Sequence, residues 1–154
     1  MTNLMHQQPD IRYQRSLTLP NDVQTIPKLA EFTDSICETA GFDMDMRMQM
    51  NLAIEEAVVN VMNYAYPQEV KGTVNIDATI SDKRLTFVIS DSGTPFDPTA
   101  KAEVDTSLSA EERDIGGLGI HLIRQIMDSI NYEYIDGRNV LTLQKKLPSS
   151  TVRS

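Results

Sequence analysis

The sequence predicts an α+β fold, in which helices and antiparallel hairpins follow one another along the chain. Two hydrophobic patterns support this prediction. Apolar residues recur at helical spacing in residues 26–40, 50–65 and 122–130. Apolar and polar residues alternate in 73–80 and 85–91, and such alternation is typical of strands that are covered on one face.

The first half of the chain divides into a strand and two helices. Residues 11–19 form the predicted strand. Thr25 is the candidate cap of the first helix, and Gly41 ends it because glycine readily adopts the left-handed conformation common at helix ends. Asp43 is the candidate cap of the second helix, and Pro67 closes that helix because its nitrogen has no hydrogen to donate.

The second half contains two hairpins, separated by a polar segment and a third helix. Residues 94–115 carry few apolar side chains, which predicts a mobile lid or a binding loop. The third helix begins at the glycines after this segment, and its predicted buried line consists of Leu122, Ile123, Ile126, Met127 and Ile130. The second hairpin joins residues 132–135 to 140–147 through a turn at 136–139.

Length and composition predict one globular domain. The chain has 154 residues, of which 40% are hydrophobic and 23% are charged. We expect the domain to span residues 11–147, with a disordered N-terminus at 1–10 and a polar tail at 148–154. Cys37 is the single cysteine, which excludes internal disulfides and a cysteine zinc cluster, and we expect a buried, unreactive thiol.

Charge and hydropathy exclude several kinds of partner. No apolar run approaches the ~20 residues of a membrane-spanning helix and no signal peptide opens the chain, so we expect a cytoplasmic protein with no membrane partner. The formal net charge of −8 at pH 7 argues against direct binding of nucleic acid, because phosphate backbones attract basic surfaces. A bound nucleotide therefore needs a metal ion and local backbone donors for its phosphates.

The second helix carries a candidate reactive pair beside its apolar face. That predicted buried face consists of Met50, Ile54, Ala57, Val58, Val61 and Ala65. Glu56 and Asn60 follow a neighbouring line, one turn and about 6 Å apart along the axis, and point the same way. An amide oxygen suits Mg2+, and a carboxylate can deprotonate an attacking hydroxyl. The alternative is that both residues lie on the helix surface for solubility alone.

Two glycine-containing stretches frame the predicted lid. In the first, Asp91 ends a strand, where it can accept a hydrogen bond from an exocyclic amine, and Gly93 lets the backbone approach a flat ring. The second places Gly116, Gly117 and Gly119 at a helix N-terminus, where free amides and the helix dipole favour phosphate. The alternatives are an ordinary turn and a flexible hinge, respectively. Neither stretch is a Walker A motif or a dinucleotide fingerprint.

The order and spacing of these motifs resemble those of the GHKL ATPases. EEAVVNVMNYAYP resembles the N box of that superfamily, DSGTPFDP its first glycine box and GGLGIHLIRQIMD its second. The resemblance covers roughly residues 12–147 and is strongest to the short anti-sigma-factor serine kinases. It implies the Bergerat (histidine-kinase-like ATPase) fold, a two-layer α/β sandwich. In that fold about three helices cover one face of a mixed, mostly antiparallel sheet, and ATP lies between the layers.

The resemblance also implies a role for each matching residue. Asn60 would bind the Mg2+ that bridges the phosphates of ATP, and Glu56 would be the base that faces the acceptor hydroxyl. Asp91 would accept a hydrogen bond from the adenine amino group, while Gly93 lies against the ring. We prefer Glu56 to Glu55 as the base, because Glu55 points about 100° away around the helix.

The remaining assignments concern the phosphates, and two positions depart from the family pattern. The backbone of Gly117, Leu118 and Gly119 would cradle the phosphates as the lid folds over them. Arg113 is the candidate for the basic residue that these kinases often carry before the second glycine box. Many GHKL members have Gly-Thr before the final strand, where this chain has Arg138-Asn139, so the resemblance assigns no adenine contact there.

Two functions follow from the resemblance. The first is a serine/threonine kinase that binds a sigma factor, phosphorylates a STAS-type anti-anti-sigma protein and forms a homodimer. The second is a binding module of the same fold, in which the nucleotide holds the lid in one conformation without phosphoryl transfer. A sensor histidine kinase is disfavoured because the chain has no room for a phosphoacceptor helical hairpin, and a hydrolytic ATPase machine because no transducer domain follows.

Overall fold

The computed structural model describes residues 11–66, 70–100 and 115–148, except for the side chains of 115–119. The helices and strands are, in order, β1 (Ile11–Pro20), α1 (Ile26–Thr39), α2 (Met44–Asn60), β2 (Thr73–Ser81), β3 (Arg84–Asp91), α3 (Ile115–Ile126), β4 (Ser129–Ile135) and β5 (Arg138–Lys146). Short 3-10 turns occur at Val23–Thr25 and Pro98–Ala100, and a π-helical turn at Val61–Ala65 extends α2.

The five strands form one sheet in the order β1-β2-β3-β5-β4. Each described strand pair is antiparallel, where the prediction allowed a mixed sheet. One row of directly paired residues crosses the whole sheet and consists of Leu19, Val74, Asp91, Asn139 and Tyr134. Because paired residues point to the same face, Asp91 and Asn139 lie on the face of the buried Leu19 and Val74.

The helices cover that face of the sheet and enclose the core, so the α+β, two-layer prediction is confirmed. The alternating residues of the first hairpin are buried as predicted, namely Val74, Ile76, Ala78, Ile80, Leu85, Phe87 and Ile89. The predicted apolar face of α2 is buried at each of its six positions. Among the described residues, no helix is long and apolar enough to span a membrane.

Two predicted helix ends have the expected chemistry and one does not, while Pro67, the predicted end of the second helix, lies outside the described residues. Asp43 accepts a hydrogen bond from the Met46 amide at 2.9 Å, and Gly41 has the positive φ (92°) expected after a helix. Thr25 precedes α1, but the prediction that it caps this helix is wrong: its hydroxyl donates to the Asp22 carbonyl. The physical reason is the 3-10 turn before α1, which Asp22 caps instead.

The second hairpin begins earlier than predicted. Ile130 was assigned to the buried line of the third helix, yet α3 ends at Ile126 and Ile130 lies on β4. The Asp128 amide already donates to the Gln144 carbonyl of β5 at 2.8 Å. Strand pairing therefore starts before Ile130, although the helical spacing of apolar residues continues to that position. The turn is shorter than predicted, because Asp136 and Gly137 both have positive φ and β5 begins at the next residue.

Cys37 lies in the core on α1, as predicted. It is fully buried, and this burial raises the pKa of the thiol to about 12, with a smaller contribution from the Asp34 carboxylate. A thiol held in its protonated form is a poor nucleophile, so Cys37 has a packing role.

Candidate functional site

The predicted pair lies at the C-terminal end of α2. Glu56 is half-buried, and this burial raises the pKa of its carboxyl group, with a further contribution from the charge of Glu55. Glu55 itself is exposed. Asn60 is only 2% exposed, and its amide nitrogen Nδ2 is buried without a hydrogen-bond partner among the described residues. The solubility explanation therefore fails for Asn60, because a surface residue would be exposed to water.

The π-helical turn after Asn60 joins α2 to the first glycine stretch. Thr94 donates to the Ala65 carbonyl from its backbone amide at 2.7 Å and from its hydroxyl at 2.9 Å. A Cβ atom at Gly93 would lie 2.4 Å from that same carbonyl oxygen. Gly93 is therefore required by the close approach of the loop to the end of α2, independently of any contact with a ring.

A pair of aromatic rings makes a second connection between α2 and this stretch. Tyr64 and Phe96 stack with ring centroids 5.3 Å apart and an interplanar angle of 26°. Tyr64 comes four residues after Asn60, the same spacing that separates Asn60 from Glu56. The stacking therefore holds Phe96, in the loop of residues 92–97, against the π-helical turn that follows the candidate pair.

Asp91 is 1% exposed and lies at the end of β3, as predicted. Its oxygen Oδ1 accepts hydrogen bonds from the Gly93 amide at 2.8 Å and from Asn139 Nδ2 at 2.9 Å. Its second oxygen, Oδ2, is buried and has no partner among the described residues. Burial raises the pKa of Asp91, opposed by the two hydrogen bonds and by the charge of Arg138. The site thus holds a buried acceptor with unused capacity.

Asn139 holds this carboxylate in place, and the sequence prediction missed it. Its Nδ2 also donates to the Thr94 carbonyl at 2.8 Å, and its Oδ1 accepts from the Phe96 amide at 2.9 Å and from the Tyr132 hydroxyl. The buried side chain therefore connects β5, β4 and the glycine loop. Its position two and four residues before the apolar Leu141 and Leu143 was the signal that it faces the core.

Arg138 lies on the opposite face of the sheet from Asn139. Its guanidinium donates to the Ser92 hydroxyl at 2.8 Å and to the Ser90 hydroxyl at 3.1 Å. The Arg138-Asn139 pair thus fixes the end of β3 from both faces, where the family pattern has Gly-Thr.

The second glycine stretch lies in α3, which begins at Ile115. Gly117 is in the first turn of this helix, where backbone amides have no partner within the helix, and Leu118 and Gly119 follow directly. Arg113 lies outside the described residues, as do residues 101–114 of the predicted lid. The backbone of α3 packs against α2, so the second glycine stretch and the Glu56–Asn60 pair belong to neighbouring helices.

A cavity of about 720 Å³ lies beside these residues at the end of the sheet. It is lined by Tyr66, Val70, Lys71, Gly72, Thr73, Ser92, Gly93, Thr94, Pro95 and Tyr134. The cavity includes Gly93 but none of Glu56, Asn60 and Asp91. It therefore adjoins the predicted site, whose own center is the region between α2, Asp91 and α3.

Comparison with known proteins gives the family and the fold. The family model described as histidine kinase-like ATPase domain matches residues 19–145. The serine-protein kinase RsbW of Listeria monocytogenes serovar 1/2a is 34% identical over 110 residues, which cover 69% of this chain and 70% of the relative. The protein of the same name from Bacillus mycoides is 32% identical over 110 residues, covering 69% of this chain and 68% of that relative.

A solved structure supports the fold alone. The crystal structure of the RsbU and RsbW domains of a Mycobacterium tuberculosis protein superposes with a TM-score of 0.63 at 15% sequence identity. The match covers 88% of this chain and 33% of the other, so the present chain spans about one third of that protein's length. The family match, which covers most of the chain, agrees with the three motifs found in the sequence. The chain belongs to the family of histidine kinase-like ATPase domains, and its predicted similarity to serine kinases is confirmed.

Proposed function

We propose that this chain is an ATP-dependent serine/threonine kinase that binds a sigma factor and phosphorylates a STAS-type anti-anti-sigma protein. The observation that carries the proposal is the half-buried Glu56 carboxylate, one turn before the buried Asn60 on α2. The family uses ATP, and two relatives that are 34% and 32% identical to this chain over 110 residues are named serine-protein kinases. The proposal includes a cytoplasmic homodimer, since cyclic dimers are the commonest closed assembly.

The unpartnered oxygen of Asp91 fits the adenine ring of ATP. The exocyclic amine of adenine is a donor, and Oδ2 is a buried acceptor without a partner among the described residues. The other oxygen already accepts two hydrogen bonds, so the carboxylate is held in one orientation. Supplying the missing donor would remove the cost of an unsatisfied buried group, which is about 1–3 kcal/mol.

The residues near Asn60 fit a magnesium ion that is carried by the nucleotide. The described residues contain no group of three acidic, histidine or cysteine side chains able to hold a metal by themselves. Mg2+ commonly keeps water and phosphate ligands and takes only one or two from the protein, a role that the amide oxygen of Asn60 suits. When bound, the ion would neutralise charge on the phosphates, and the free amides at the start of α3 would donate hydrogen bonds to phosphate oxygens.

Glu56 is assigned the role of general base. The acceptor hydroxyl oxygen forms a bond to the γ-phosphorus while the bond from that phosphorus to the β–γ bridging oxygen breaks, and ADP leaves. The hydroxyl proton passes to the Glu56 carboxylate. Its raised pKa suits this role, because a base is most effective when its pKa lies closer to the working pH.

A transfer assay tests the proposal directly. The wild-type protein is incubated with γ-labelled ATP, Mg2+ and the purified STAS-type protein of the same host. Label on a serine or threonine of that protein is the expected result. A complex that forms only with ATP but carries no label would contradict the kinase assignment and favour the nucleotide-gated binding module.

Asn60→Ala should remove the Mg2+-dependent part of ATP affinity, which we expect to be about tenfold. The fold should survive because Asn60 Nδ2 has no partner to lose among the described residues. Titration calorimetry with and without Mg2+ measures this, and Asn63→Ala, at an exposed position on the same helical segment, is the matched control. A variant whose ATP affinity still rises with Mg2+ would contradict the assignment of Asn60.

The pH dependence of transfer should report Glu56. Because its pKa is raised from 4.5, the rate should fall as the pH is lowered through a midpoint above that value, where the base becomes protonated. At saturating acceptor, Glu55→Gln should retain activity and move this midpoint to lower pH, since the charge of Glu55 contributes to the raised pKa. If the midpoint of the fall in rate at low pH is the same in Glu55→Gln as in the wild type, a group other than Glu56 controls the pH dependence.

A further inference from the structure

An exposed apolar ridge on α2 leads directly to Glu56. Met44, Met48 and Leu52 follow one another at four-residue spacing and are 62%, 64% and 53% exposed. The next residues at this spacing are Glu56 and Asn60. Residues four apart form a continuous ridge on a helix surface, so one ridge carries an apolar half and a reactive half. We name Met44, Met48 and Leu52 the methionine ridge.

The neighbouring elements that the structure describes leave this ridge uncovered. The opposite side of α2 is buried against the sheet, as the apolar face from Met50 to Ala65 shows. The side of α2 that faces α1 is held by Arg47, which donates two hydrogen bonds to the Asp34 carboxylate at 3.0 and 2.9 Å. This contact with α1 thus involves Arg47 and not the residues of the ridge. Three large apolar side chains thus face solvent in one row, and exposed apolar groups of this kind mark interaction surfaces when they are contiguous.

The charges beside the ridge are acidic. Asp45 and Glu55 are both exposed on α2 next to the ridge, and Arg47, the single basic residue of this helix, is already paired with Asp34. A complementary surface therefore has an apolar center flanked by lysine or arginine side chains. Methionine suits such contacts because its flexible, polarizable side chain adapts to irregular surfaces.

We infer that the methionine ridge is the docking surface for the protein that receives the phosphoryl group. This inference rests on the proposed kinase function. A partner seated on Leu52 lies about 6 Å along the helix axis from Glu56, so docking would bring an adjacent serine or threonine to the base. The partner surface is apolar and flanked by basic residues.

Electrostatics favour this occupant over a second copy of the chain. A symmetric dimer through the ridge would place Asp45 and Glu55 of one copy near the same residues of the other, and such like charges repel. The position of the ridge favours the acceptor protein over the sigma factor, because the ridge ends at the residue assigned to proton transfer.

Met48→Lys tests the inference, because lysine is compatible with an exposed helix but disrupts the apolar row and repels basic residues. With the host STAS-type protein as the acceptor, KM for the acceptor should rise at least tenfold while ATP affinity stays unchanged. Ile135→Lys, on β4 with 50% exposure in the wild type, is the matched control and should leave both values unchanged. Transfer by the wild type with an unchanged KM in Met48→Lys would overturn the inference and leave the kinase function standing. Absence of transfer by the wild type would instead contradict the proposed function.

NMR of the protein labelled with 13C at its methionine methyl groups gives an independent test. Adding the acceptor should shift the resonances of Met44 and Met48, whereas those of the buried Met50 and Met127 should stay in place and serve as internal controls. Ridge resonances that shift with the concentration of this protein alone would identify a second copy as the occupant and overturn the inference.

Discussion

Replacement of Glu56 by glutamine should reduce phosphoryl transfer by about 10²–10⁴-fold, the usual contribution of a general base. Glutamine keeps the size of the side chain but cannot accept the proton of the attacking hydroxyl at neutral pH. ATP affinity should stay within about twofold, because the role proposed for Glu56 is to take the proton of the acceptor hydroxyl and not to bind the nucleotide. Single-turnover transfer to the STAS-type protein and ATP titration of the same preparation measure the two effects.

Glu55→Gln is the matched control, since it removes an equal charge from the adjacent, exposed position. At saturating acceptor it should retain transfer within a few-fold of the wild type, because the charge of Glu55 lies beside the proposed docking surface and would change KM for the acceptor rather than the transfer step. An equal loss in both variants would mean that the acidic surface of α2 matters through its total charge. A large loss of ATP affinity in Glu56→Gln would place this residue in the nucleotide site and remove it from the role of base.

Patterns with a fixed period made most of the fold predictable. The alternation in β2 and β3 and the apolar face of α2 each depend on a single repeat, and each is buried in the structure as predicted. Pattern alone failed at Ile130, which fits the spacing of α3 but lies on β4. Helical and strand spacing both place an apolar residue there, and only the pairing of Asp128 with Gln144 decides between them.

The part of the candidate site that could be predicted from the sequence is the part formed by residues of a single helix. Glu56 and Asn60 share a helix, so their relative position follows from helix geometry. Asn139 is more than forty positions from Asp91 along the chain, and their contact requires knowledge that β5 lies beside β3 in register. The close approach of Gly93 to Ala65 likewise depends on the π-helical turn, which no local pattern in this sequence indicated.

α2 therefore presents three surfaces with different chemical roles. One packs on the sheet, a second carries the candidate pair Glu56 and Asn60, and the third is the exposed methionine ridge. The last two surfaces are continuous, because the methionine ridge and the candidate pair belong to one row of residues at four-residue spacing. Each step along this row turns only about 40° around the helix axis, so successive side chains are neighbours. A shift of Glu56 by a single position would turn it about 100° away from Asn60 and separate the proposed docking surface from the base.

Asp91→Asn should lower ATP affinity by about 10–100-fold without unfolding the protein. The asparagine oxygen can still accept the hydrogen bonds from Gly93 and Asn139, but its amide would place a donor where the unpartnered Oδ2 of aspartate lies. The asparagine amide, a donor, would then face the adenine amine, which is also a donor. The variant would lose a hydrogen bond to a charged group, which contributes about 1.5–3 kcal/mol. Titration with ATP and with inorganic triphosphate separates the causes: ATP affinity should fall and triphosphate affinity should not. Equal losses for both ligands would contradict adenine recognition by Asp91.

Although Asp91→Asn should bind ATP more weakly, its folded state should be at least as stable as that of the wild type. Because the pKa of Asp91 is raised from 3.8 in the folded protein, chiefly by burial, the wild type loses stability as the pH rises through the range above that value. Asparagine carries no charge to bury, so the free energy of unfolding at pH 7 should equal or exceed that of the wild type, and the gap should narrow as the pH is lowered. Urea unfolding at several pH values measures this, with Asp77→Asn on β2 as the control, since the pairing of Asp77 with the Ser16 hydroxyl lies away from Asp91.

A less stable Asp91→Asn at pH 7 would mean that the carboxylate holds the fold together. Unchanged or greater stability together with weaker ATP binding is expected of a residue retained for its ligand at a cost to the protein.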